Sequence, residues 1–132
     1  MGYLIDTNIA IHACDGFEPV LVKMAEHEGA LLLSALSLAE MQRGLYARPE
    51  LTALRKERLA MLLQVVPVAP FGVKAAEIYG EIIAKIGRVK RRDFDRLIAA
   101  HAIATRSVLV TANVDGFADI PRLPIENWTV RS

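Results

Sequence analysis

A single cysteine, Cys14, leaves no internal disulfide to form. This agrees with a reducing cytoplasm, where we expect the protein to reside, and Cys14 itself reads as a small helix-packing residue. Charge of one sign is also lacking. Sixteen Lys and Arg stand against fifteen Asp and Glu, for a formal net charge of +1, which gives no global electrostatic footprint for nucleic acid. Any such role must rest on local clustering. No uninterrupted apolar run is long enough to span a bilayer, and no basic-then-apolar leader opens the chain, so no membrane partner is expected. The sequence has no Walker A pattern, no paired-cysteine motif and no Gly-rich dinucleotide fingerprint. Nor does it contain an internal repeat, a low-complexity tract or a linker. What is abundant is apolar. Hydrophobic residues make up 53% of 132 residues, and 23% are charged. That describes one globular domain spanning the chain, able to bury a core without staples and with apolar surface left for a partner.

Short apolar runs alternate with helical patterns. Tyr3 to Ile5 reads as a buried strand, followed by a helix over Asn8 to Ala13 that Asp15-Gly16 ends. A second helix uses Val20, Leu21, Met24 and Ala25, and Gly29 closes it. Ala30 to Leu33 is a second strand. A helix then runs to about Ala47, and Pro49 opens the next at a favoured first-turn position. From Glu50 to Gln64 charged residues alternate with leucines, which makes a helical hairpin with one oily face. Val65 to Ala69, interrupted by Pro67, suits an edge strand. Phe71 to Ile86 carries Val73, Ala76, Ile78, Tyr79, Ile82 and Ile83 as a broad buried face. Asp93 to Ala102 starts the most helical segment, with His101 expected at the surface or behind the site. Val108 to Thr111 is a buried strand, and Leu123 to Val130 a last edge strand. Such alternation implies a three-layer α/β/α sandwich around a mainly parallel sheet.

The polar residues gather at predicted strand ends and helix starts. Asp6, followed by Thr7 and Asn8, ends the first strand, and ligands of open α/β sheets bind at the carboxyl ends of strands. Asp6 or Thr7 can equally cap the next helix. Ser37 and Glu40 match a capping box, or Glu40 in the first turn points over the same sheet edge as Asp6. Asp93 is a natural N-cap, and Asp95 in the first turn favours the helix dipole. Asn113 and Asp115 follow the Val108 to Thr111 strand. Carboxylates crowded at low dielectric repel strongly and need a cation. Hard oxygen ligands select Mg²⁺ or Mn²⁺. Gly87-Arg88-Val89-Lys90-Arg91-Arg92 is the only dense basic run. It is either a solvated loop or a phosphate-contacting one. A carboxylate-held metal beside such a loop suits phosphodiester hydrolysis.

The strand ending Leu4-Ile5-Asp6-Thr7-Asn8, the Ser37-Leu38-Ala39-Glu40 turn, the Asp95-x-x-Ile98-Ala99-Ala100-His101-Ala102 helix and Val110-Thr111-x-Asn113-x-x-x-Phe117, in this order, resemble PIN-domain ribonucleases. More narrowly, they resemble VapC toxins of bacterial type II toxin–antitoxin systems. The resemblance spans nearly the whole chain and takes in Ile125-Glu126-Asn127-Trp128. It implies a Mg²⁺- or Mn²⁺-dependent RNA endonuclease with Asp6, Glu40 and Asp95 as metal-binding acids. Thr7, Asn8 and Thr111 would support them from behind. The family's fourth acidic position falls near Asn113, which is neutral here. Asp115 takes over, or the site runs with three acids. Arg88, Lys90, Arg91 and Arg92 would grip the RNA backbone. The resemblance also implies a homodimer and a cognate antitoxin lying along the Leu38 to Leu63 helical pair. Two rival readings stand beside it. One is a phosphotransferase with Asp6 as nucleophile, although Asn8 stands where a second Asp is wanted and no lysine is clearly placed. The other is a receiver-like or interaction domain whose acids merely cap helices.

Overall fold

The computed structural model describes residues 2–130. Five strands form one sheet: β1 (Gly2–Ile5), β2 (Leu31–Ser34), β3 (Val68–Ala69), β4 (Ser107–Val110) and β5 (Ile125–Glu126). All pair in parallel, in the order β3-β2-β1-β4-β5. Six helices connect them: α1 (Thr7–Cys14), α2 (Glu18–Glu26), α3 (Ala35–Leu45), α4 (Thr52–Val65), α5 (Val73–Ile86) and α6 (Asp93–Ala104).

Strand periodicity builds the layers. Successive side chains of a strand point to opposite faces, so β1 sends Ile5 to one face and Leu4 to the other. Val110 and Leu109 of β4 divide the same way. Ile5, Leu31, Leu33 and Val110 pack under α1, α2 and α4 with Trp128. Leu4 and Leu109 pack under α5 and α6 through Ile82, Ile98, Ala99 and Ala102. The small residues of α6 let that helix lie close on the sheet. The result is the expected α/β/α sandwich.

Chain order sets where a site can form. The chain fills the sheet from β1 outward to β3, then returns to the other side of β1 for β4 and β5. The turning point lies between β1 and β4, where crevices open beyond the carboxyl ends of strands. Asp6 leaves β1 and Thr111 leaves β4 at that point, and the Asp6 N–H donates to the Val110 carbonyl at 3.0 Å.

Several expectations shift. α4 continues through Val65, so only Val68 and Ala69 form the third strand, on the sheet's edge beyond Pro67. The buried residues of α5 are Ala75 and Ile82, whereas Val73 is 78% exposed. The helix begins at Val73, which faces outward, whereas Ala75 in the same turn is buried. In α2 only Val20 and Met24 are buried. The tail contributes just Ile125 and Glu126 as a strand. Trp128 nonetheless reaches the core, stacked on His27 with ring centroids 5.4 Å apart.

Candidate active site

Asp6 caps α1, its Oδ1 accepting the Ile9 N–H at 2.9 Å. The capping reading of this residue is therefore correct, and it leaves the second carboxylate oxygen for other work. The Thr111 side chain also hydrogen-bonds this carboxylate. Burial pushes the Asp6 carboxyl above its usual range, the Thr111 and Ile9 hydrogen bonds oppose this, and the charge of Asp95 adds to it. Burial likewise raises the Asp95 carboxyl, with the Glu40 charge next and Arg92 and Arg96 pulling the other way. The Glu40 charge thus acts on Asp95 and the Asp95 charge on Asp6, and no salt bridge reaches Asp6 or Asp95 among the described residues.

Glu40 arrives by a route different from the expected one. β2 runs through Ser34, and Ser34 takes the cap of α3 by accepting the Leu36 N–H at 3.1 Å. Ser37 is consequently inside the helix, buried, with its hydroxyl unpartnered, and no capping box forms. Glu40 sits in the second turn instead of the first. Its Oε1 accepts the Thr7 hydroxyl at 2.6 Å, and Arg43 approaches Oε2 at 3.9 Å. Thr7 thereby ties the start of α1 to α3.

Asp93 does not cap α6. It is the helix's first residue and accepts the Tyr79 hydroxyl, while Arg88 lies 3.4 Å from its other oxygen. The Tyr79 hydrogen bond holds the Asp93 carboxyl below its usual range, and Arg88 adds to this. Asp93 is a fastener between α5 and α6.

The remaining expected residues scatter. Asn8 is exposed, with no hydrogen bond to the acids. Asn113 turns its Oδ1 to the Gly116 N–H at 3.3 Å, and its own N–H donates to the Thr111 hydroxyl at 3.0 Å. A Cβ at Gly116 would meet the Asn113 side chain, which would have to swing away and give up this hydrogen bond. Asp115 is exposed on the same turn. Lys90, Arg91 and Arg92 form a 3-10 turn directly before α6.

The structure also shows residues that the sequence reading passed over or misplaced. Arg96 is buried, with its Nη2 3.2 Å from Asp119 and its Nε and Nη1 unpartnered. Its position among Ala99, Ala100 and Ile103 on successive turns was a usable signal of burial. His101, expected at the surface or behind the site, is 1% exposed, and its Nδ1 lies 2.8 Å from the Ser34 hydroxyl. The buried face of α6 is wider than an amphipathic stripe, so the histidine is enclosed. It fastens α6, which carries Asp95, to the cap of α3, which carries Glu40.

Burial holds the His101 imidazole below its ordinary 6.5, with the Pro70 carbonyl acting in the opposite direction. The folded state therefore binds this proton less tightly than the unfolded chain. Stability present above pH 6.5 is lost as pH falls through the folded value. Melting curves from pH 7.5 to 5 should fall more steeply for the wild type than for His101→Gln. Equal slopes would remove His101 as the cause.

The donors gathered here are hard carboxylate oxygens, and two of the three acids have raised proton affinity. That chemistry fits Mg²⁺ or Mn²⁺ with water completing the shell. Among the described residues no group of three His, Cys, Asp or Glu side chains already stands at metal-holding spacing. The fit is one of chemistry and charge, and a finished cage is not present.

Fold and topology define an α/β protein with Asp6 and Thr111 at the switch point of a parallel sheet. Residues 3–123 match the PIN domain, and the chain belongs to that family. It is 32% identical to ribonuclease VapC2 of Rickettsia felis, over 97% of this chain and 98% of that protein. Against ribonuclease VapC2 of Haemophilus influenzae the identity is 26%, over 96% and 97%. Among solved structures, VapBC2 from Rickettsia felis bound to a DNA fragment from their promoter superposes with a TM-score of 0.86. That match has 29% identity and covers 97% of this chain and 99% of that one. DNA-bound VapBC from Salmonella typhimurium gives a TM-score of 0.82 at 25% identity, covering 97% and 98%. The chain is thus a PIN-domain protein of the VapC type.

Proposed function

We propose that the protein is the toxin of a type II toxin–antitoxin pair and a Mg²⁺- or Mn²⁺-dependent endoribonuclease acting in the cytoplasm. The observation that carries this reading is electrostatic. Asp6, Glu40 and Asp95 come from three separate parts of the fold, the Glu40 charge acts on Asp95 and the Asp95 charge on Asp6, and among the described residues no cation forms an ion pair with Asp6 or Asp95. The full-length likeness to VapC ribonucleases supports it. Helix capping accounts for Asp6 alone. Glu40 and Asp95 cap nothing, which weighs against the interaction-domain reading. An exposed Asn8, and the lack of any lysine paired with Asp6, weigh against the phosphotransferase.

Asp6, Glu40 and Asp95 would hold the metal. When bound, it supplies Lewis acidity and makes water a better nucleophile near neutral pH. The protein's part is orientation. The Ile9 N–H and Thr111 fix Asp6, and Thr7 fixes Glu40. Water bonds to phosphorus, the bond from phosphorus to the 3′ oxygen breaks, and the proton lost by water passes through solvent to that oxygen. The products are a 5′-phosphate and a 3′-hydroxyl. The site runs on three acids, because Asn113 is committed to Gly116 and Asp115 faces solvent. Lys90, Arg91 and Arg92 contact the RNA, with Arg88 held aside by Asp93.

The antitoxin would occupy the groove between α1, α3 and α4, a cavity of about 380 Å³ floored by Met41, Leu45, Leu54 and Leu59. Glu40 and Arg58 also line it, so a partner lying there reaches one of the site's acids. VapBC complexes among the solved relatives support such a partner, and we propose a toxin homodimer that joins it as a hetero-oligomer. Leu54→Glu should weaken antitoxin binding by at least about tenfold, as removal of a central apolar anchor does. Unchanged affinity would move the partner elsewhere.

Antitoxin-free protein incubated with total bacterial RNA tests the function. Discrete fragments with Mg²⁺ or Mn²⁺, none with a chelator, and 5′-phosphate ends are expected. Intact RNA from folded protein under both metals would contradict it.

A further inference from the structure

Four arginines, Arg88, Arg91, Arg92 and Arg96, flank the start of α6, and two of them are already occupied. Arg88 lies 3.4 Å from Asp93, which also takes the Tyr79 hydroxyl. Arg96 is buried against Asp119. Arg92 is different. It stands immediately before α6, half-buried, with no carboxylate within ion-pair distance among the described residues. Asp95 is three residues on, a spacing that makes the two neighbours on one turn. Its charge reaches Asp95, which fits that placement.

A guanidinium stays charged at every working pH and offers a planar fork of donors suited to phosphate oxygens. With no carboxylate in ion-pair reach among the described residues, the donors of Arg92 are left for an incoming anion. Lys90 and Arg91 sit on the same 3-10 turn but are exposed, where a cation is well hydrated and acts through its long-range field.

We propose that Arg92 contacts the phosphate group undergoing cleavage, whereas Lys90 and Arg91 contact the RNA backbone to either side. The assignment rests on the nuclease reading. Negative charge builds on the phosphoryl oxygens as water adds, and a guanidinium fork that meets them favours that state over the bound substrate. Arg92 would thus act mainly on the rate, and its two neighbours mainly on binding.

The test compares Arg92→Gln, Arg92→Lys, Arg91→Gln and, as a remote control for lost charge, Lys74→Gln. Two readouts are needed on one short single-stranded RNA that the wild type cuts. One is binding in chelator across a salt series, and the other is the single-turnover rate at saturating protein with Mn²⁺. Arg92→Gln should slow saturated cleavage by about 10²-fold, as loss of one preorganised transition-state donor does. Its binding should weaken far less than its rate. Arg92→Lys should fall between, keeping the charge but losing the fork. Arg91→Gln should show the reverse balance, with the log–log salt slope of binding reduced by about 0.7. Lys74→Gln should match the wild type. Superimposable melting curves establish that each variant is folded. A wild-type saturated rate for Arg92→Gln, or equal losses for Arg92→Gln and Arg91→Gln in both readouts, overturns the assignment. Wild-type protein that binds RNA but cuts none with either metal overturns the nuclease reading itself, and this assignment with it. The two failures differ in whether the wild type cleaves.

Discussion

Asp95→Asn is expected to reduce RNA cleavage by about 10³-fold while stabilising the metal-free protein by about 1 kcal/mol. The two effects have one cause. Asp95 is half-buried beside Glu40, within the field of Asp6, and its ionised form is disfavoured by burial and then by Glu40. Acids whose ionised forms are disfavoured by burial and by like charges cluster at functional sites. The sign of the pH dependence follows. Asp6 and Asp95 both bind their protons more tightly folded than at their ordinary 3.8. Without metal, the stability contributed by each is full below 3.8 and is lost as pH rises through its raised folded value. Thermal melts in chelator from pH 3.5 to 7.5 should therefore diverge, with Asp95→Asn progressively ahead of the wild type as pH rises. A variant that melts lower across that range would make Asp95 a structural acid and weaken the case for a cation site.

A second large effect concerns Arg96 and Asp119, and it is asymmetric. Arg96 is 3% exposed with two unpartnered nitrogens, whereas Asp119 is 45% exposed. Asp119→Ala removes the one carboxylate within ion-pair distance of the buried guanidinium among the described residues and should cost about 2–3 kcal/mol, the low end for a broken buried pair because the carboxylate is half in water. Arg96→Met replaces the buried charge with an apolar chain of similar length and should cost less than about 1 kcal/mol. Denaturant unfolding of both variants checks this. Equal costs would mean that the pair is stabilising in itself. The pair also clamps the turn carrying Asn113 at its far end, while Thr111 clamps its near end beside Asp6.

Much of this was legible in the residues, and the exceptions share a physical origin. The parallel sheet showed because four-residue apolar runs separated by helical periodicity admit little else. Asp6 was legible because an apolar run stopped at it. Ser37 misled because a serine three residues before a glutamate satisfies a local pattern, and the pattern cannot say where the preceding strand ends. One more strand residue gave the cap to Ser34 and moved Glu40 a full turn inward. Asp93 misled similarly, since a first-turn acid can cap its helix or be held by a neighbouring one, and Tyr79 lies fourteen residues away in sequence. His101 and Arg96 were hidden because a polar residue on a helix reads as exposed unless the helix is covered on most sides. α6 is covered by the sheet and by α5, which only tertiary packing reveals. The basic run was visible as a group, but not its division into an arginine tied to Asp93 and residues left free.

The central claim is that Asp6, Glu40 and Asp95 form one divalent-cation site. Calorimetric titration of metal-free protein with Mn²⁺ at neutral pH, beside Asp6→Asn and Asp95→Asn, tests it most directly. Asparagine keeps the cap of α1 at position 6, so a folded variant is expected in both cases. Saturable Mn²⁺ binding is expected for the wild type and its loss in each variant, with all three proteins folded. Binding that survives both substitutions, or no binding by the folded wild type, would contradict it.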